Sequence, residues 1–160
     1  KIIFLKMTKA VRELHDKGFN HLDIKMENFI ILHNENLDVK LIDFEMSYEY
    51  SKELKYIRRC VGTCGYSPLE SYKHFYNYQT DIWSLGVCLW ILLTNKMPFK
   101  HKSLMIDDKI DEQFMLLPTE NEKKYIDKGA LELVENILTI DLYKRIELNN
   151  IITNNWLNEI

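Results

Sequence analysis

Residues 21–28 have the sequence His21-Leu22-Asp23-Ile24-Lys25-Met26-Glu27-Asn28, a short polar run between a predicted helix and a predicted strand. A carboxylate, an amine and an amide stand close together in this run. Asp23 could hold a substrate hydroxyl, Lys25 could neutralise a phosphate, and Asn28 could bind a divalent metal through its carbonyl oxygen. By itself the run is more typical of a solvated loop in which an aspartate stabilises a turn.

A second polar cluster, Asp43-Phe44-Glu45, follows a predicted β-hairpin. The hairpin is expected to comprise strands Phe29–Leu32 and Val39–Ile42, joined by a turn at Asn34–Asn36. Because a hairpin returns the chain to its starting end, Asn28 and Asp43 should lie side by side. Mg²⁺ prefers hard oxygen ligands, and a carboxylate and an amide oxygen are both of that type. The two clusters together therefore predict a metal–phosphate site.

The rest of the sequence predicts a mainly helical domain with this two-strand insert. An amphipathic pattern predicts a helix over residues 1–17 that stops at Gly18. Residues 80–94 are apolar on all sides, which indicates a central helix. Residues 43–70 have no periodicity, and such long irregular stretches are usually functional. Further expected elements are helices over 103–110, 130–138 and 148–157 and an extended segment over 116–119.

The charge, the apolar runs and the cysteines of the sequence argue against several classes of binding site. The net charge is −3, with 21 basic and 24 acidic residues, which predicts neither a nucleic-acid-binding patch nor a membrane-surface helix. The longest apolar run, Leu85–Leu93, is too short to span a bilayer. Cys60, Cys64 and Cys88 lack the partners of a zinc site and are expected to be free thiols, typical of a reducing, cytoplasmic environment.

The order and spacing of several motifs resemble the eukaryotic-type Ser/Thr protein kinase domain. Residues 21–28 look like its catalytic loop, and Asp43-Phe44-Glu45 looks like its metal-binding motif. Four later stretches resemble the end of the activation segment, the central-helix motif and the closing motifs of the family: Gly62–Glu70, Asp81–Gly86, Pro98-Phe99, and Asp141–Arg145 with Trp156.

The resemblance implies a role for each matching residue. Asp23 would accept or orient the proton of the substrate hydroxyl, and Lys25 would contact the transferred γ-phosphate of ATP. Asn28 and Asp43 would hold Mg²⁺ against the ATP phosphates, and Ile30 would lie under the adenine. Because Lys25 and Thr63 are of the types seen in Ser/Thr kinases, the expected partner is a protein substrate with Ser or Thr.

Three structural roles are implied as well. Asp81 would be a buried carboxylate that accepts backbone N–H groups of the catalytic loop. His21 and Phe44 would stack in the internal apolar spine. The last role is a buried ion pair that anchors the activation segment, formed by Glu70 and Arg145.

Two departures from the family pattern concern the site directly. Leu22 replaces the arginine that in the family pairs with a phosphorylated activation loop. We therefore predict that phosphorylation of the activation segment, at Ser47, Tyr48, Ser51 or Tyr56, is not the main switch. Arg58 and Arg59 are expected to be a solvated pair, with binding of such a phosphate as the alternative. Glu45 replaces a glycine, whose backbone angles other residues resist, and its charge could either repel phosphates or help to bind Mg²⁺.

The Gly-rich loop, strand lysine and partner glutamate that kinases place before this region have no match in the sequence. Residues 1–160 are therefore expected to be a C-terminal lobe, without the N-terminal lobe and with an exposed apolar face where that lobe docks. The His-Leu-Asp sequence resembles divergent apicomplexan FIKK kinases, whereas Leu85–Phe99 looks closer to calcium/calmodulin-dependent types. Three functions remain open: a Ser/Thr kinase, active only with its N-lobe; a pseudokinase or truncated remnant that binds proteins; and an unrelated helical binding domain.

Overall fold

The first helix supplies one wall of the core. A computed structural model describes residues 1–58, 61–99 and 124–159, and in it helix α1 spans Ile2–Asp16. Phe4, Met7 and Val11 recur at helical spacing and are buried. The helix ends before Gly18, whose φ of 86° favours glycine. The predicted helix and its stop are confirmed.

The predicted β-hairpin is present. Strand β2 (Phe29–Ile31) pairs antiparallel with β3 (Val39–Leu41), with Ile30 opposite Lys40. A single turn of 3₁₀ helix, Met26–Asn28, leads directly into β2. Each strand is one residue shorter than predicted, although Leu32 still donates its N–H to Asp38 at 2.7 Å.

Two further two-stranded sheets were not predicted. Strand β1 (Phe19–Asn20) pairs with β4 (Tyr48–Glu49), and β5 (Lys55–Tyr56) pairs with β6 (Phe75–Tyr76). Two-residue strands are too short for an alternating pattern to show, so the sequence carried no signal for them. Residues 43–70, expected to be irregular, are thus partly ordered by pairing with distant segments.

The central helix, α3, spans Tyr78–Thr94 and follows the short helix α2 (Leu69–Tyr72). Asn77 begins α3 with a capping box: its side chain accepts the N–H of Gln79 at 3.0 Å, while Thr80 accepts the N–H of Asn77. Twelve α3 residues are buried, among them Ile82, Leu85 and Leu89. The expectation of an apolar helix at the centre of the core is confirmed.

The last helices of the described residues pack against α3, against α1 and against one another. Helix α4 spans Lys128–Ile137 and approaches α3 closely at Gly86, where a Cβ would lie 2.5 Å from Ile137. The single helix predicted over 148–157 is wrong: the structure has α5 (Leu148–Ile152) and α6 (Asn155–Asn158). Asn154 separates them, because its side chain accepts the N–H of Trp156 at 3.0 Å and starts a new helix.

Some of the sequence predictions fall on residues that the structure does not describe. The helix expected over 103–110 and the segment over 116–119 lie outside the described residues, as does Cys60. Cys64 and Cys88 are free thiols, as predicted, and burial raises the pKa of the Cys88 thiol. Across the described ranges, no helix combines the length and apolar character needed to cross a membrane.

Candidate active site

Asp81, on the first turn of α3, holds the polar loop at residues 21–28 through hydrogen bonds to the loop backbone. The Asp81 carboxylate is fully buried and accepts the backbone N–H groups of His21 and Leu22, each at 2.7 Å. This is the arrangement that the family resemblance implied for Asp81. Leu22 has a φ of 65°, an unfavourable conformation for leucine, and the two hydrogen bonds hold the loop in it.

Asp23 lies at the centre of the site with both carboxylate oxygens engaged. Lys25 Nζ donates to Oδ2 at 2.8 Å, and the Thr63 hydroxyl donates to Oδ1 at 2.6 Å. Lys25 Nζ also lies 3.1 Å from Thr63 Oγ1, which closes a triangle of three side chains. Asp23 is only 8% exposed, yet each oxygen keeps a second lone pair for another donor.

The charge of Lys25 is stabilised by its surroundings. The hydrogen bond to Asp23 raises the pKa of Lys25, and although partial burial opposes this shift, the carboxylates of Asp23, Glu27 and Asp43 add to it. The lysine therefore remains a cation where a phosphate would need one.

Asn28 and Asp43 come from separate loops that the hairpin brings together. The N–H of Ile42, the residue before Asp43, donates to the Asn28 carbonyl at 2.9 Å. The Asn28 side chain is oriented because its amide nitrogen donates to the Asp23 carbonyl, also at 2.9 Å. That bond uses the nitrogen and leaves the amide oxygen as the atom suited to a metal.

The donor set fits Mg²⁺ bound together with a phosphate. One amide oxygen and one carboxylate are hard ligands, but too few to enclose a cation, so substrate oxygens would complete the shell. Among the described residues, no three His, Cys, Asp or Glu side chains form a metal-binding group. Ile30 is 45% exposed on β2 and offers apolar surface beside this set; its contact with adenine stays a prediction.

The expected stacking of His21 and Phe44 is present. Their ring centroids are 5.4 Å apart in an edge-to-face arrangement. His21 is fully buried, and its Nε2 lies 3.0 Å from the carbonyl of Ile42. Phe44 remains 51% exposed on its other sides.

Leu22, which replaces the family's arginine, belongs to a small apolar cluster. It is buried together with Val61 and Tyr76, and Met46 and Ile57 pack against them. The Tyr76 hydroxyl also accepts the N–H of Val61 at 3.1 Å. Apolar packing therefore links the polar loop at residues 21–28 to Met46, Ile57 and Val61, in the place where an arginine would offer charge.

Glu45 causes no backbone strain. Glu45 lies in a turn closed by the Ser47 N–H, which donates to the Phe44 carbonyl at 3.0 Å. Asp43, and not Glu45, adopts the left-handed conformation, with a φ of 63°. Glutamate is therefore compatible with the backbone conformation at position 45. Its exposed negative charge is the remaining difference from the family's glycine.

The expected ion pair of Glu70 and Arg145 is also present. Arg145 donates to Glu70 through both terminal nitrogens, at 2.8 and 3.5 Å, and their side chains are 0% and 10% exposed. Arg145 donates as well to the carbonyls of Gln79, Thr139 and Ile140. The start of α2 is thereby tied to the core.

The sequence placed Asp23, Lys25, Asn28 and Asp43 in the site, and the structure brings these four residues together. The sequence did not place two contributors in the site: Thr63, which served only as an indicator of Ser/Thr preference, and His15, which contacts Asp81. Thr63 lies in the Gly62–Glu70 motif, which was a usable signal, but its contact with Asp23 spans 40 residues of sequence. His15 carried no signal, because a histidine on a buried helix face matches many core positions.

Comparison with known proteins agrees with this geometry. The chain matches the protein kinase domain over residues 1–157. It is 30% identical to a maternal embryonic leucine zipper kinase of Xenopus tropicalis over 98% of the chain and 24% of that protein. It is also 30% identical to the serine/threonine-protein kinase D2 of Rattus norvegicus, over 99% of the chain and 18% of that protein.

The chain thus spans a quarter or less of these relatives. The match to the family nevertheless runs through nearly every described element, and the fold is mainly helical with small two-stranded sheets. On both grounds, the chain belongs to the protein kinase domain family.

Proposed function

We propose that the chain is the C-terminal lobe of a Ser/Thr protein kinase, which transfers the γ-phosphate of ATP to a protein hydroxyl. The observation that carries this proposal is the Asp23–Lys25–Thr63 triangle beside the convergent Asn28 and Asp43. A buried carboxylate, a cation and two hard oxygen donors form the set that positions a hydroxyl against a metal-bound phosphate.

Each residue has a distinct task in this mechanism. Asp23 accepts a hydrogen bond from the substrate hydroxyl and takes its proton as the new oxygen–phosphorus bond forms and the bond between the γ-phosphorus and the ADP oxygen breaks, so that ADP leaves. Lys25 and Thr63 fix the Asp23 carboxylate, and the Lys25 ammonium faces the charge of the transferred group. Asn28 and Asp43 would hold the cation. When bound, Mg²⁺ neutralises the phosphate oxygens.

The remaining part of the nucleotide site is proposed to come from an N-terminal lobe. The sequence has no G-x-G-x-x-G loop. Ile30, Ile31 and Phe44, on the hairpin and just after it, are 45%, 39% and 51% exposed. Exposed apolar side chains beside a catalytic site are typical of a surface that another element covers, and we propose that activity requires this lobe.

The preference for Ser and Thr rests on local chemistry and on the relatives. Lys25 and Thr63 contact each other and Asp23, and both are residue types found at these positions in Ser/Thr kinases. A serine/threonine-protein kinase is among the relatives at 30% identity.

The test is transfer of labelled phosphate from ATP by the full-length protein to matched peptides that carry Ser, Thr or Tyr. We expect transfer to Ser and Thr peptides, and a loss of about 10²–10⁴-fold in Asp23→Asn, which cannot accept the proton. Asp141→Asn is the matched control, because Asp141 is an exposed residue. Its Oδ1 accepts the N–H of Tyr143, and the amide oxygen of asparagine can accept the same hydrogen bond. Equal transfer by wild type and Asp23→Asn would contradict the proposal.

A non-catalytic interaction module is the second candidate, and one observation favours it. Glu45 is exposed and follows Asp43 by two residues, so it adds negative charge where phosphates would bind. Under this alternative, neither wild type nor Glu45→Gly transfers phosphate to any of the peptides. Transfer that increases in Glu45→Gly would instead identify Glu45 as a brake on an active enzyme.

A further inference from the structure

The two-stranded ribbon formed by β5 and β6 exposes two aromatic side chains that contact each other. Tyr56 lies opposite Phe75 in the antiparallel register. Their ring centroids are 5.7 Å apart in an edge-to-face arrangement, and the two residues are 63% and 40% exposed. Among the ring contacts of the described residues, this is the one that joins two exposed residues. A single exposed aromatic residue is common, but a contiguous exposed pair is typical of a surface that binds another molecule.

The opposite side of the ribbon is buried in the protein. Tyr76, next to Phe75, faces away from the exposed pair because side chains alternate along a strand, and it is 2% exposed. Its hydroxyl accepts the N–H of Val61 at 3.1 Å and donates to the carbonyl of Ser71, also at 3.1 Å. The aromatic pair therefore has a rigid support, so little ordering of the protein would be needed when a ligand covers it.

Two cations lie at one end of the ribbon. The Ile57 N–H donates to the His74 carbonyl at 3.0 Å, which continues the pairing by one residue beyond β5. The same register then places Arg58 and Lys73 together at this end. Both are exposed, and neither has a carboxylate partner among the described residues. Like charges in opposed positions repel each other, so this end of the ribbon presents positive charge that the described residues do not compensate.

The charge around the ribbon is opposite in sign to that of the chain, whose net charge is −3. Residues 51–58 and 71–76 contain a single carboxylate, that of Glu53. It lies 3.4 Å from the Lys55 ammonium and is thus already engaged by another cation. A ligand with carboxylates would therefore supply the counter-charge that the cations at the ribbon end lack.

We propose that the exposed face of the β5–β6 ribbon is a docking site for an acidic segment of a partner protein. An apolar side chain of that segment covers Tyr56 and Phe75, and its Asp or Glu side chains pair with Arg58 and Lys73. Aromatic residues and arginine are among the residue types that contribute most to protein interfaces. This inference goes beyond the proposed phosphoryl transfer and does not depend on it.

A protein segment fits this surface better than a nucleic acid does. The affinity of proteins for nucleic acids depends on contacts with many phosphates. The ribbon end offers two cations without a described partner, on a chain whose net charge is −3. An acidic peptide needs fewer charge contacts, because its apolar side chains also cover the exposed aromatic pair.

The experiment measures the binding of fluorescently labelled peptides to the full-length protein by fluorescence anisotropy. The probe is a peptide of repeated Glu-Asp-Phe, and the matched peptide is a repeat of Gln-Asn-Phe. We expect the acidic peptide to bind about tenfold more tightly or better, and this difference to shrink as salt is added, because salt screens exposed charges. Equal affinity for the two peptides, or no binding of the acidic peptide up to about 1 mM, would overturn the inference.

Two protein variants test the two parts of the surface separately. Arg58→Glu combined with Lys73→Glu reverses the charge at the ribbon end, and Tyr56→Ala removes the more exposed ring. Each change should weaken binding of the acidic peptide about tenfold or more. The matched control combines Lys9→Glu with Lys17→Glu, which makes the same change in net charge at exposed positions on α1 and just after it. The control should bind the peptide as the wild type does.

Two further outcomes would contradict the docking site. An equal loss of binding in the Lys9 and Lys17 control would show that net charge alone attracts the peptide. Tighter binding of a single-stranded oligothymidylate than of the acidic peptide would identify a nucleic-acid surface instead. Urea unfolding of every variant checks that a loss of binding is not a loss of folding, and because all the substituted side chains are exposed, the unfolding midpoints should match that of the wild type.

Discussion

The Glu70–Arg145 pair offers a sharp test of what holds α2 to the core. The substitution Glu70→Gln removes the charge but keeps the shape of the side chain. Arg145 then remains buried, at 0% side-chain exposure, without a counter-ion. Removing one partner of a buried pair costs about 3–5 kcal/mol, and Arg145 keeps three backbone carbonyl acceptors. We therefore expect a loss near the lower end, about 3 kcal/mol.

The assay is urea-induced unfolding followed by tryptophan fluorescence, since the Arg145 guanidinium lies 4.9 Å from the centre of the Trp83 ring. Glu132→Gln is the matched control: the same change at an exposed pair, in which Lys128 and Glu132 are 3.7 Å apart and 91% and 62% exposed. That variant should hardly change stability. If Glu70→Gln lost no more stability than Glu132→Gln, the pair would not be the anchor that its burial indicates.

Leu22→Ala should destabilise the protein by about 2–4 kcal/mol, because it empties the cluster with Val61 and Tyr76; proteolysis should then begin within residues 46–58. Phosphatase treatment of the wild type should leave the rate of phosphate transfer unchanged, since that cluster offers no charge to a phosphate. Gly86→Ala should cost about 1–3 kcal/mol in urea unfolding, because the added methyl group would lie 2.5 Å from Ile137. Tyr66 gives a pH prediction: burial raises its pKa to about 12, so the folded protein keeps the phenol protonated where an unfolded tyrosine ionises. Stability should therefore fall between pH 10 and 12, by up to about 1.4 kcal/mol per pH unit, and Tyr66→Phe should lose less over that range.

The sequence alone was sufficient to predict the helices and strands in which apolar residues recur at regular spacing. Helices α1 and α3 and the β2–β3 hairpin have clear periodicity, and the hairpin alone implied that Asn28 and Asp43 converge. Asp81 was placed beside the loop through the resemblance of Asp81–Gly86 to the central-helix motif of the family. In each of these cases the deciding information lies within a few neighbouring residues.

The remaining contacts join residues that are far apart in the chain and have no repeating pattern. Thr63 reaches Asp23 across 40 residues, and His15 reaches Asp81 across 66. Such contacts depend on how elements pack in three dimensions, which periodicity does not encode. The break between α5 and α6 was missed for another reason: a polar Asn154 fits a continuous helical surface as well as it fits a cap.

The backbone at Asp43 and Glu45 has a consequence for how diverged members of this family are recognised. A search pattern that insists on glycine after Asp-Phe would discard this chain. Yet the backbone conformation at Glu45 does not require glycine, because the residue with left-handed backbone angles is Asp43. A search pattern that requires the aspartate and the following turn, and accepts any residue at the position of Glu45, would retain such proteins for functional assay.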